Sequence, residues 1–380
     1  MSAIGIGIVG SGEMGRNVAR PVIATDDAIS ISAVFDPDPE SIIAARKDFG
    51  DQFVAVSSLQ ELLDNDKVDW VMIASWNKYH AEQTIAAFAA GKHVFCQKPL
   101  ALSLDECLDM RKAWLASGKQ FVIGFNLRYS PHYRKIKELL SNKAIGDIVS
   151  FEFNETLRFN HGGFIMGDWR RLRENAGSHL LEKCCHDVDL ANWMIESRAS
   201  RVASFGGLNF FLPENAEALE RVGMAANGRQ GYMTWRSGKS INPFTSDKNI
   251  TDNQVTIIEY ENGVRATLHM NSNTAIPERR MYICGTSGTL RADLISGVIE
   301  LQQIGFEQVR IDHSMKGAGM HGGGDEFLAA ELVATMVNGE QASATLDDGL
   351  AAAVTCFAID DAMDTGSVVD LGPYWQQIDN

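Results

Sequence analysis

The stretch IGIGIVGSGEMG near the start of the chain limits the possible folds more than any other feature. Residues 4–9 form an apolar run, as expected for a strand buried on both faces of a sheet. Gly10, Gly12 and Gly15 then give the spacing G-x-G-x-x-G, and residues 14–23 are amphipathic and predicted to be helical. A strand, a glycine-rich turn and a helix in this order indicate a dinucleotide-binding unit.

Each glycine of this turn has its own predicted role. The first permits a tight turn, the second lets the backbone approach a pyrophosphate, and the third lets the helix pack close to the strand. The free N–H groups at the start of the helix favour a bound anion. We therefore predict that the turn contacts a dinucleotide through Gly10, Gly12, Glu13, Met14 and Gly15.

A second strand is predicted over ISISAVFD, and it ends at Asp36. Asp36 lies 21 residues after Gly15, close to the position where a carboxylate commonly binds the adenosine ribose. Such a carboxylate accepts hydrogen bonds from ribose hydroxyls and repels a 2′-phosphate, so NAD is predicted as the cofactor in preference to NADP. The alternative is that Asp36 merely begins the turn DPDPE.

Strand-like and helix-like segments continue to alternate up to about residue 125. The strand-like segments are VDWVMIAS, KHVFC and QFVIGFN, and the helix-like ones are SLQELLDND, YHAEQTIAAFAAG and SLDECLDMRKAWLAS. This alternation predicts an α/β domain with a doubly wound parallel sheet, in which ligands bind at the carboxyl ends of the strands. Lys98 follows KHVFC, and Pro99 holds its backbone extended, so we predict that Lys98 faces the ligand.

Composition and charge restrict the class of partner. A length of 380 residues predicts two or three domains. The formal net charge of -15 disfavours nucleic acid and anionic membranes as partners, and no apolar run approaches the roughly 20 residues that span a bilayer. The six cysteines fit no zinc or disulfide spacing, and the start of the chain does not resemble a signal peptide. We therefore expect a cytoplasmic protein without a bound metal.

The pattern changes after about residue 125. The segments QVTIIEYENGVRATLHMN and ERRMYICGTSGTLRAD predict antiparallel hairpins that turn at ENG and GTSG. We accordingly divide the chain into a dinucleotide-binding domain, residues 1–125, and an α+β domain, residues 126–380. Residues 206–253 are rich in Gly, Asn and Ser without a clear period, and we predict long loops there.

The segment GSHLLEKCCHDVDLANWMIES is predicted to be helical from about residue 180. Glu182 and His186 are four residues apart and Asp189 follows three residues later, so the three side chains share one helix face. A histidine with carboxylates one turn away on each side suits acid–base chemistry, because the acid orients the ring. The same spacing also fits a cluster of charges at the surface.

Seven motifs, taken in chain order, resemble the Gfo/Idh/MocA family of glucose–fructose oxidoreductase, inositol dehydrogenases and rhizopine-catabolism oxidoreductases. They are GIVGSGEMG, VDWVMIASWNKYH, GKHVFCQKPLA, GFNLRYSP, WRRL, EKCCHDVDL and HGGGD. The resemblance implies an N-terminal Rossmann domain and a C-terminal domain on an open, mostly antiparallel sheet. In this family the inner face of that sheet covers the nicotinamide and the outer face commonly makes oligomer contacts, which implies a homodimer or homotetramer.

The resemblance also implies the roles of individual residues. The catalytic positions are matched by Lys98, His186 and Glu182, although Gln97 replaces the glutamate of the family's Glu-Lys-Pro motif and Glu182 stands where Asp is usual. Cofactor contacts are implied at Ser75, Trp76, Asn77, His80, Gln97, Lys98, Trp169 and Arg170. Substrate contacts are implied at Lys98, Arg128, Tyr129, His186, Asp189 and His321, the last with Asp325 in HGGGDEF. Positions in the core or at the surface are the alternative for Trp76, Trp169 and Arg170.

These assignments predict NAD-dependent oxidation of a secondary alcohol on a sugar or a cyclic polyol such as an inositol, or the reverse reduction. His186 would take the hydroxyl proton, Lys98 would donate hydrogen bonds to the developing alkoxide, and Glu182 would orient His186. Two other interpretations remain open. One is an NAD-retaining glycosidase that acts by transient oxidation, elimination and re-reduction, and the other is a non-catalytic sugar sensor on the same scaffold.

Overall fold

The structure is a computed structural model that describes residues 3–234, 241–317 and 319–379. Contacts within the chain divide it into two compact units. The first unit comprises the described residues up to 131 together with 319–353, and the second comprises 132–317 and 354–379. The part of the predicted loop region over residues 235–240 lies outside the described residues.

The first unit is built on a six-stranded sheet with the strand order β3-β2-β1-β4-β5-β6. Its strands are β1 Ile4–Val9, β2 Ile29–Phe35, β3 Val54–Val56, β4 Trp70–Ile73, β5 His93–Cys96 and β6 Phe121–Ile123. The described pairings are all parallel. Strands β4 to β6 are almost wholly buried, because such a sheet is covered on both faces, and this explains their continuous apolar sequences. The predicted doubly wound sheet is confirmed.

Five α-helices are described between the strands of this unit, and side chains cap three of them, at Asp38, Ser58 and Ser103. They are α1 Glu13–Thr25, α2 Pro39–Phe49, α3 Leu59–Leu63, α4 His80–Ala89 and α5 Leu104–Ser117. Ser103 accepts a hydrogen bond from the Glu106 N–H, and Glu106 Oε2 accepts one from the Leu102 N–H, as in a capping box. Helix α1 continues through Pro21, and the Thr25 hydroxyl donates to the Pro21 carbonyl at 2.7 Å, so the helix ends two residues later than predicted.

Residues 319–353 return to the first unit. A turn at Met320–Gly323 leads into α11, Gly324–Asn338, which packs against α1. The first part of α12, Leu346–Thr365, follows in the same unit. Residues 319–353 are therefore an additional segment of the unit that contains the predicted dinucleotide-binding domain.

The second unit contains a nine-stranded mixed sheet with the order β14-β13-β12-β11-β7-β10-β9-β8-β15. Its strands are β7 Ile148–Arg158, β8 Ala199–Gly207, β9 Asn253–Tyr260, β10 Arg265–Thr274, β11 Arg280–Gly285, β12 Gly288–Asp293, β13 Val298–Gln303, β14 Ile311–Asp312 and β15 Val369–Asp370. Strands β7 and β10 pair in parallel, and the other described pairings are antiparallel. The two predicted hairpins are β9–β10 and β11–β12, so the mostly antiparallel sheet is confirmed.

The described part of the second unit also contains six α-helices. They are α6 Pro131–Ser141, α7 Phe159–Gly167, α8 Arg173–Ala176, α9 Cys185–Ile195, α10 Ala218–Val222 and α13 Gly372–Asp379. Helix α9 packs on β7 and helix α7 on β10, which buries inward-facing side chains such as Phe153 and Met270. Across the described chain we find no helix with the length and apolarity needed to cross a membrane.

The region predicted as long loops packs with β7 and α7 in one apolar cluster. A 3₁₀ turn at Pro213–Asn215 and helix α10 lie within it. The rings of Tyr232 and Phe244 pack edge to face with centroids 5.2 Å apart. A Cβ atom on Gly163 of α7 would lie 2.1 Å from the Tyr232 carbonyl oxygen, so this glycine permits the close approach of the two segments. The buried members of the cluster are Leu157, Ile165, Met166, Phe211, Ala218, Tyr232, Phe244 and Ile250.

Candidate active site

The glycine turn between β1 and α1 has the shape of a phosphate cradle. Gly10 has a φ of +86°, and a Cβ atom on Gly15 would lie 2.2 Å from the Gly10 carbonyl oxygen. A Cβ atom on Gly12 would meet no described protein atom within 4 Å. The fold itself therefore requires Gly10 and Gly15, whereas the space beside Gly12, at the start of α1, fits a pyrophosphate.

This difference gives a matched pair of substitutions. Gly15→Ala is expected to lower the free energy of unfolding by ~1–3 kcal/mol, because the methyl group overlaps the backbone. Gly12→Ala is expected to cost less than ~1 kcal/mol of stability, since its φ of -58° suits alanine, yet to weaken NAD binding at least ~10-fold, or ~1.4 kcal/mol. Urea unfolding and NADH fluorescence titration measure the two effects. Normal NAD affinity in a folded Gly12→Ala protein would contradict the cradle.

Asp36 lies just beyond the carboxyl end of β2, beside this turn. Its Oδ2 atom accepts hydrogen bonds from the Ser11 backbone N–H at 2.7 Å and from the Ser11 hydroxyl at 3.3 Å, and its Oδ1 atom accepts from the Asp38 N–H at 2.9 Å. These bonds fix the carboxylate next to the glycine turn. A carboxylate has about four acceptor positions, so it can also accept bonds from ribose hydroxyls.

Lys98 follows β5 at the same edge of the sheet, and its peptide bond to Pro99 is cis. His80 is completely buried, with Nδ1 at 2.8 Å from the Pro99 carbonyl oxygen and Nε2 at 3.3 Å from that of Ser75. Burial lowers the pKa of His80 to about 4, and the nearby charge of Lys98 acts in the same direction. The ring is therefore neutral and donates its one proton to the closer oxygen, that of Pro99. Three residues predicted at the cofactor, Ser75, His80 and Lys98, are thus brought together.

Gln97 supplies a hydrogen-bond donor at this edge. Its side chain lies against Gly124, where a Cβ atom would be 2.8 Å from Gln97 Oε1. Gln97 is buried, and within the described part of the chain its Nε2 atom has no hydrogen-bond partner. A buried donor of this kind fits a bound group with an acceptor oxygen. Of the neighbouring predicted contacts, Asn77 is buried and Trp76 is 41% exposed.

Arg128 and Tyr129 lie in a 3₁₀ turn, Asn126–Tyr129, that follows β6, and both are buried. Arg128 forms an ion pair with Asp348 at 3.0 Å, and the Tyr129 hydroxyl donates to Glu331 at 2.8 Å. Both side chains thereby connect this turn to residues 319–353, the later segment of the same unit. Contact with a substrate remains a prediction for these two residues.

His186 lies on the second unit, directly after a π-helical turn. The predicted helix is present, but Leu180–Cys184 has π-type hydrogen bonding and the α-helix starts at Cys185. Single π turns inside helices occur frequently at functional sites. Glu182, His186 and Asp189 are all buried, so they do not form a cluster of surface charges.

Glu182 belongs to a cluster with two other predicted residues. Arg170 Nε donates to Glu182 at 3.0 Å, and Arg170 Nη1 donates to Asp168 at 2.8 Å. The guanidinium carbon of Arg170 lies 4.3 Å from the Trp169 ring centroid, at cation–π distance. Burial raises the pKa of Asp168, while the charge of Arg170 acts against that rise. The structure thus joins Trp169, Arg170 and Glu182, and the role of Glu182 in orienting His186 remains a prediction.

Four charged residues without a sequence assignment form a charged quartet on and beside this helix: Glu155, Asp187 and Arg279 are buried, and the Lys183 side chain is 17% exposed. Arg279 donates to the two Asp187 oxygens at 2.8 and 2.6 Å and also pairs with Glu155. Lys183 Nζ lies 3.8 Å from Glu155. The formal charges of this charged quartet cancel. Burial raises the pKa of Asp187 to about 7, and Arg279 opposes that rise. Because Lys183 and Asp187 flank His186 in sequence, the quartet fixes the rotation of the helix that carries His186.

Two further histidines lie near this helix. Burial lowers the pKa of His179 to about 4 and lowers that of His161 as well; the charge of Lys183 acts in the same direction and Glu182 against it. His179 Nδ1 lies 3.1 Å from the Thr251 carbonyl oxygen. Both rings are therefore neutral at neutral pH. Sequence reasoning gave neither histidine a role, because the burial that keeps the two rings neutral is not evident from the local sequence.

Comparison with known protein families gives two matches. Residues 4–125 match the profile described as "Oxidoreductase family, NAD-binding Rossmann fold". Residues 133–291 match the profile described as "GFO/IDH/MocA C-terminal domain". Together the two matches cover well over half of the chain.

Individual relatives point to the same family. The chain is 28% identical over 291 residues to a 2,7-anhydro-N-acetylneuraminate hydratase of Escherichia coli, an alignment that covers 77% of this chain and 68% of that protein. It is 35% identical over 196 residues to an inositol 2-dehydrogenase of Gluconacetobacter diazotrophicus, covering 51% of this chain and 55% of that protein. A solved levoglucosan dehydrogenase in complex with NADH and levoglucosan shares the fold, with a TM-score of 0.80, 21% identity and coverage of 97% and 99%. The chain belongs to the Gfo/Idh/MocA family of oxidoreductases, and its first domain is an NAD-binding Rossmann domain.

Proposed function

We propose that this protein is an NAD-dependent dehydrogenase that acts on a secondary alcohol of a sugar or cyclic polyol. The observation that carries the proposal is the position of Lys98 at the carboxyl edge of the Rossmann sheet, tied through Pro99 to the buried ring of His80. The similarity to an inositol 2-dehydrogenase supports a polyol as the substrate class. That alignment spans about half of the dehydrogenase, so the substrate is inferred from this relative only as a class.

The residues of the chain divide the work as follows. The glycine turn and Asp36 hold the dinucleotide, which supplies the hydride-accepting nicotinamide when it is bound. His186 takes the proton of the substrate hydroxyl onto its ring. Lys98 donates hydrogen bonds to the oxygen as negative charge develops there. Glu182, held by Arg170, keeps a carboxylate near the base of the helix that carries His186.

The direct test is an activity screen with purified protein, NAD and a panel of inositols and aldoses. Appearance of NADH absorbance at 340 nm with at least one cyclic polyol or aldose is the expected result. Absence of NADH with the whole panel, in protein that binds NAD, would argue against the proposal. Net oxidation also separates this function from ligand sensing, in which a sugar binds and NADH never forms.

The preference for NAD over NADP is proposed from Asp36. The carboxylate beside the glycine turn repels a 2′-phosphate, so wild-type protein is expected to bind NAD at least ~10-fold more tightly than NADP, a difference of ~1.4 kcal/mol. Asp36→Ala is expected to weaken NAD binding and to remove most of that preference. Fluorescence titration with NADH and NADPH measures both affinities, with Asp27→Ala, an exposed acid, as the control. An unchanged affinity ratio in Asp36→Ala would contradict the assignment.

A second candidate function follows from the similarity to a 2,7-anhydro-N-acetylneuraminate hydratase, which covers 77% of this chain. In this function the protein oxidises the substrate transiently, eliminates or adds an oxygen substituent, and reduces the product again. The cofactor is regenerated, so no NADH accumulates. Mass spectrometry of the sugar product, with 2,7-anhydro-N-acetylneuraminate and chromogenic glycosides as substrates, distinguishes this function from net oxidation.

A further inference from the structure

His321 and Asp325 form a histidine–carboxylate pair at the start of α11. His321 Nδ1 lies 2.9 and 3.0 Å from the two Asp325 oxygens, and Asn126 Nδ2 donates to Asp325 Oδ1. The side chains of His321 and Asp325 are 18% and 22% exposed, so the pair reaches solvent. A carboxylate against Nδ1 places the ring proton on that atom and makes Nε2 the basic nitrogen.

The backbone of this pair is held in an unusual conformation. His321, Gly322 and Gly323 have φ values of +48°, +62° and +85°, and only the two glycines adopt this region without cost. The Ser130 hydroxyl donates to the Gly322 carbonyl at 3.0 Å. A Cβ atom on Gly324 would lie 2.1 Å from the Asn126 carbonyl oxygen, so the turn is packed directly against the chain after β6. Strain of this kind persists where the surroundings fix it, and it concentrates at functional sites.

The pair lies at the same edge of the Rossmann sheet as Lys98. Strands β5 and β6 are neighbours, and the Gly124 N–H donates to the Cys96 carbonyl at 2.8 Å just beyond their ends. Lys98 follows Cys96 by two residues, and Asn126 follows Gly124 by two residues. Because Asn126 holds Asp325, His321 is placed at the end of β6 while Lys98 is placed at the end of β5.

The carboxylate of this pair is ionised at neutral pH. Burial on its own raises the pKa of Asp325, but the hydrogen bonds and charge of His321 and the hydrogen bond from Asn126 outweigh it and hold the pKa below its ordinary value. The Asn126 Oδ1 atom is buried without a hydrogen-bond partner among the described residues. Reversing that amide would place its oxygen against the carboxylate, so the hydrogen bond to Asp325 fixes the orientation of the Asn126 side chain.

We propose that His321 is a second proton-transfer residue, which removes a proton from the carbon next to the carbonyl group of a keto-sugar or keto-polyol. Asp325 orients its ring, and Asn126 is a positioning residue for Asp325. The inference rests on the proposed function, because oxidation of the secondary alcohol forms that carbonyl. Oxidation itself needs one acid–base residue, assigned to His186, so a second histidine with its own carboxylate has no part in that step.

The chemical step is an enolisation. The C–H bond next to the carbonyl breaks, its electron pair forms the C=C bond of an enolate, and the proton bonds to His321 Nε2. The oxygen gains the negative charge, which the Lys98 ammonium stabilises. Return of a solvent-derived proton gives exchange at that carbon. Where the next carbon carries an oxygen substituent, the enolate electron pair expels it, and the leaving oxygen takes the proton from His321.

The test is deuterium exchange in D₂O, followed by NMR as loss of the proton signals next to the carbonyl. The probes are 2-keto-myo-inositol and methyl 3-keto-α-D-glucopyranoside, with NADH-dependent reduction of the same ketones measured in parallel. Wild-type protein is expected to exchange at least one probe above the buffer rate. His321→Asn, chosen because asparagine tolerates a positive φ, is expected to slow exchange ~100-fold or more and reduction less than ~10-fold.

Three further variants complete the design. Asp325→Asn is expected to slow exchange ~10-fold or more, because the ring of His321 loses the carboxylate that orients it. This variant replaces His321→Asn as the test if His321→Asn fails to fold. His186→Gln is expected to show the opposite split, with reduction lost more severely than exchange. His269→Gln, an exposed histidine on β10, is the matched control and keeps both rates. Circular dichroism and melting temperature report folding of each variant.

The outcomes separate this inference from the proposed function. Reduction without exchange in wild-type protein, or wild-type exchange in folded His321→Asn, overturns the role of His321 and leaves the dehydrogenase proposal standing. Exchange that depends on His321, with no NADH formed from any polyol, supports the role of His321 and overturns the proposed function. Wild-type protein that exchanges neither probe overturns the role of His321. If it also forms no NADH from the whole panel of polyols and aldoses, the proposed function is overturned as well.

Discussion

A Lys98→Met variant is expected to lose ~10²–10⁴-fold in kcat/KM for any polyol that the wild-type protein oxidises. Methionine has nearly the length of lysine but no ammonium group, so charge that develops on the substrate oxygen is left without a donor. The backbone is expected to stay in place, because His80 contacts the Pro99 carbonyl, and this contact does not involve the lysine side chain. Cofactor affinity should change less than ~10-fold, because the glycine turn is untouched.

Two controls make this result specific. Lys47→Met removes an exposed lysine from α2 and is expected to leave turnover unchanged. Lys98→Arg keeps a positive charge in a planar group of different reach, so it is expected to recover only part of the activity. Steady-state kinetics gives kcat/KM, and NADH fluorescence gives cofactor binding. Full turnover by a folded Lys98→Met protein would contradict the role assigned to the lysine.

The Rossmann unit could be predicted because its signals are local. The strands of a covered parallel sheet are continuous apolar runs, and the turn after β1 needs glycine at Gly10 and Gly15 for reasons of φ and contact distance that leave a fixed spacing in the sequence. Asp36 and Lys98 follow from the same logic, because both come just after a strand end. The return of α11 onto α1 leaves no such trace, since it depends on contact between segments about 300 residues apart.

For the same reason, only some residues of the candidate site on the second unit could be predicted from the sequence. Spacing within one helix indicated Glu182 and His186, but a π turn is not encoded by any simple period. Arg279 meets Asp187 across 92 residues, and the local sequence around either gives no sign of the other. The one available hint was the four-residue spacing of Lys183 and Asp187, which in isolation reads as an ordinary surface ion pair.

Arg279→Met is expected to lower the free energy of unfolding by ~3–5 kcal/mol, because it leaves two buried carboxylates without their shared cation. The loss of unfolding free energy caused by Arg279→Met should increase with pH. The pKa of Asp187, about 7, already lies above its ordinary value, so Asp187 contributes less to stability as pH rises through that value. Removing Arg279 raises that pKa further, so urea unfolding should show a larger loss at pH 8 than at pH 5.

Arg280→Met is the matched control, since Arg280 is adjacent in sequence but 41% exposed in its pair with Glu152. An exposed pair contributes ~0–1 kcal/mol, so this variant should unfold almost like the wild-type protein. Combining Arg279→Met with neutral amides at Glu155 and Asp187 should recover much of the loss, because the uncompensated charges are removed. Equal losses of stability in Arg279→Met and Arg280→Met would show that the charged quartet does not hold the helix of His186. If the Arg279→Met protein is folded at low temperature, its turnover is expected to fall. Its affinity for NAD should stay unchanged, because the glycine turn belongs to the other unit.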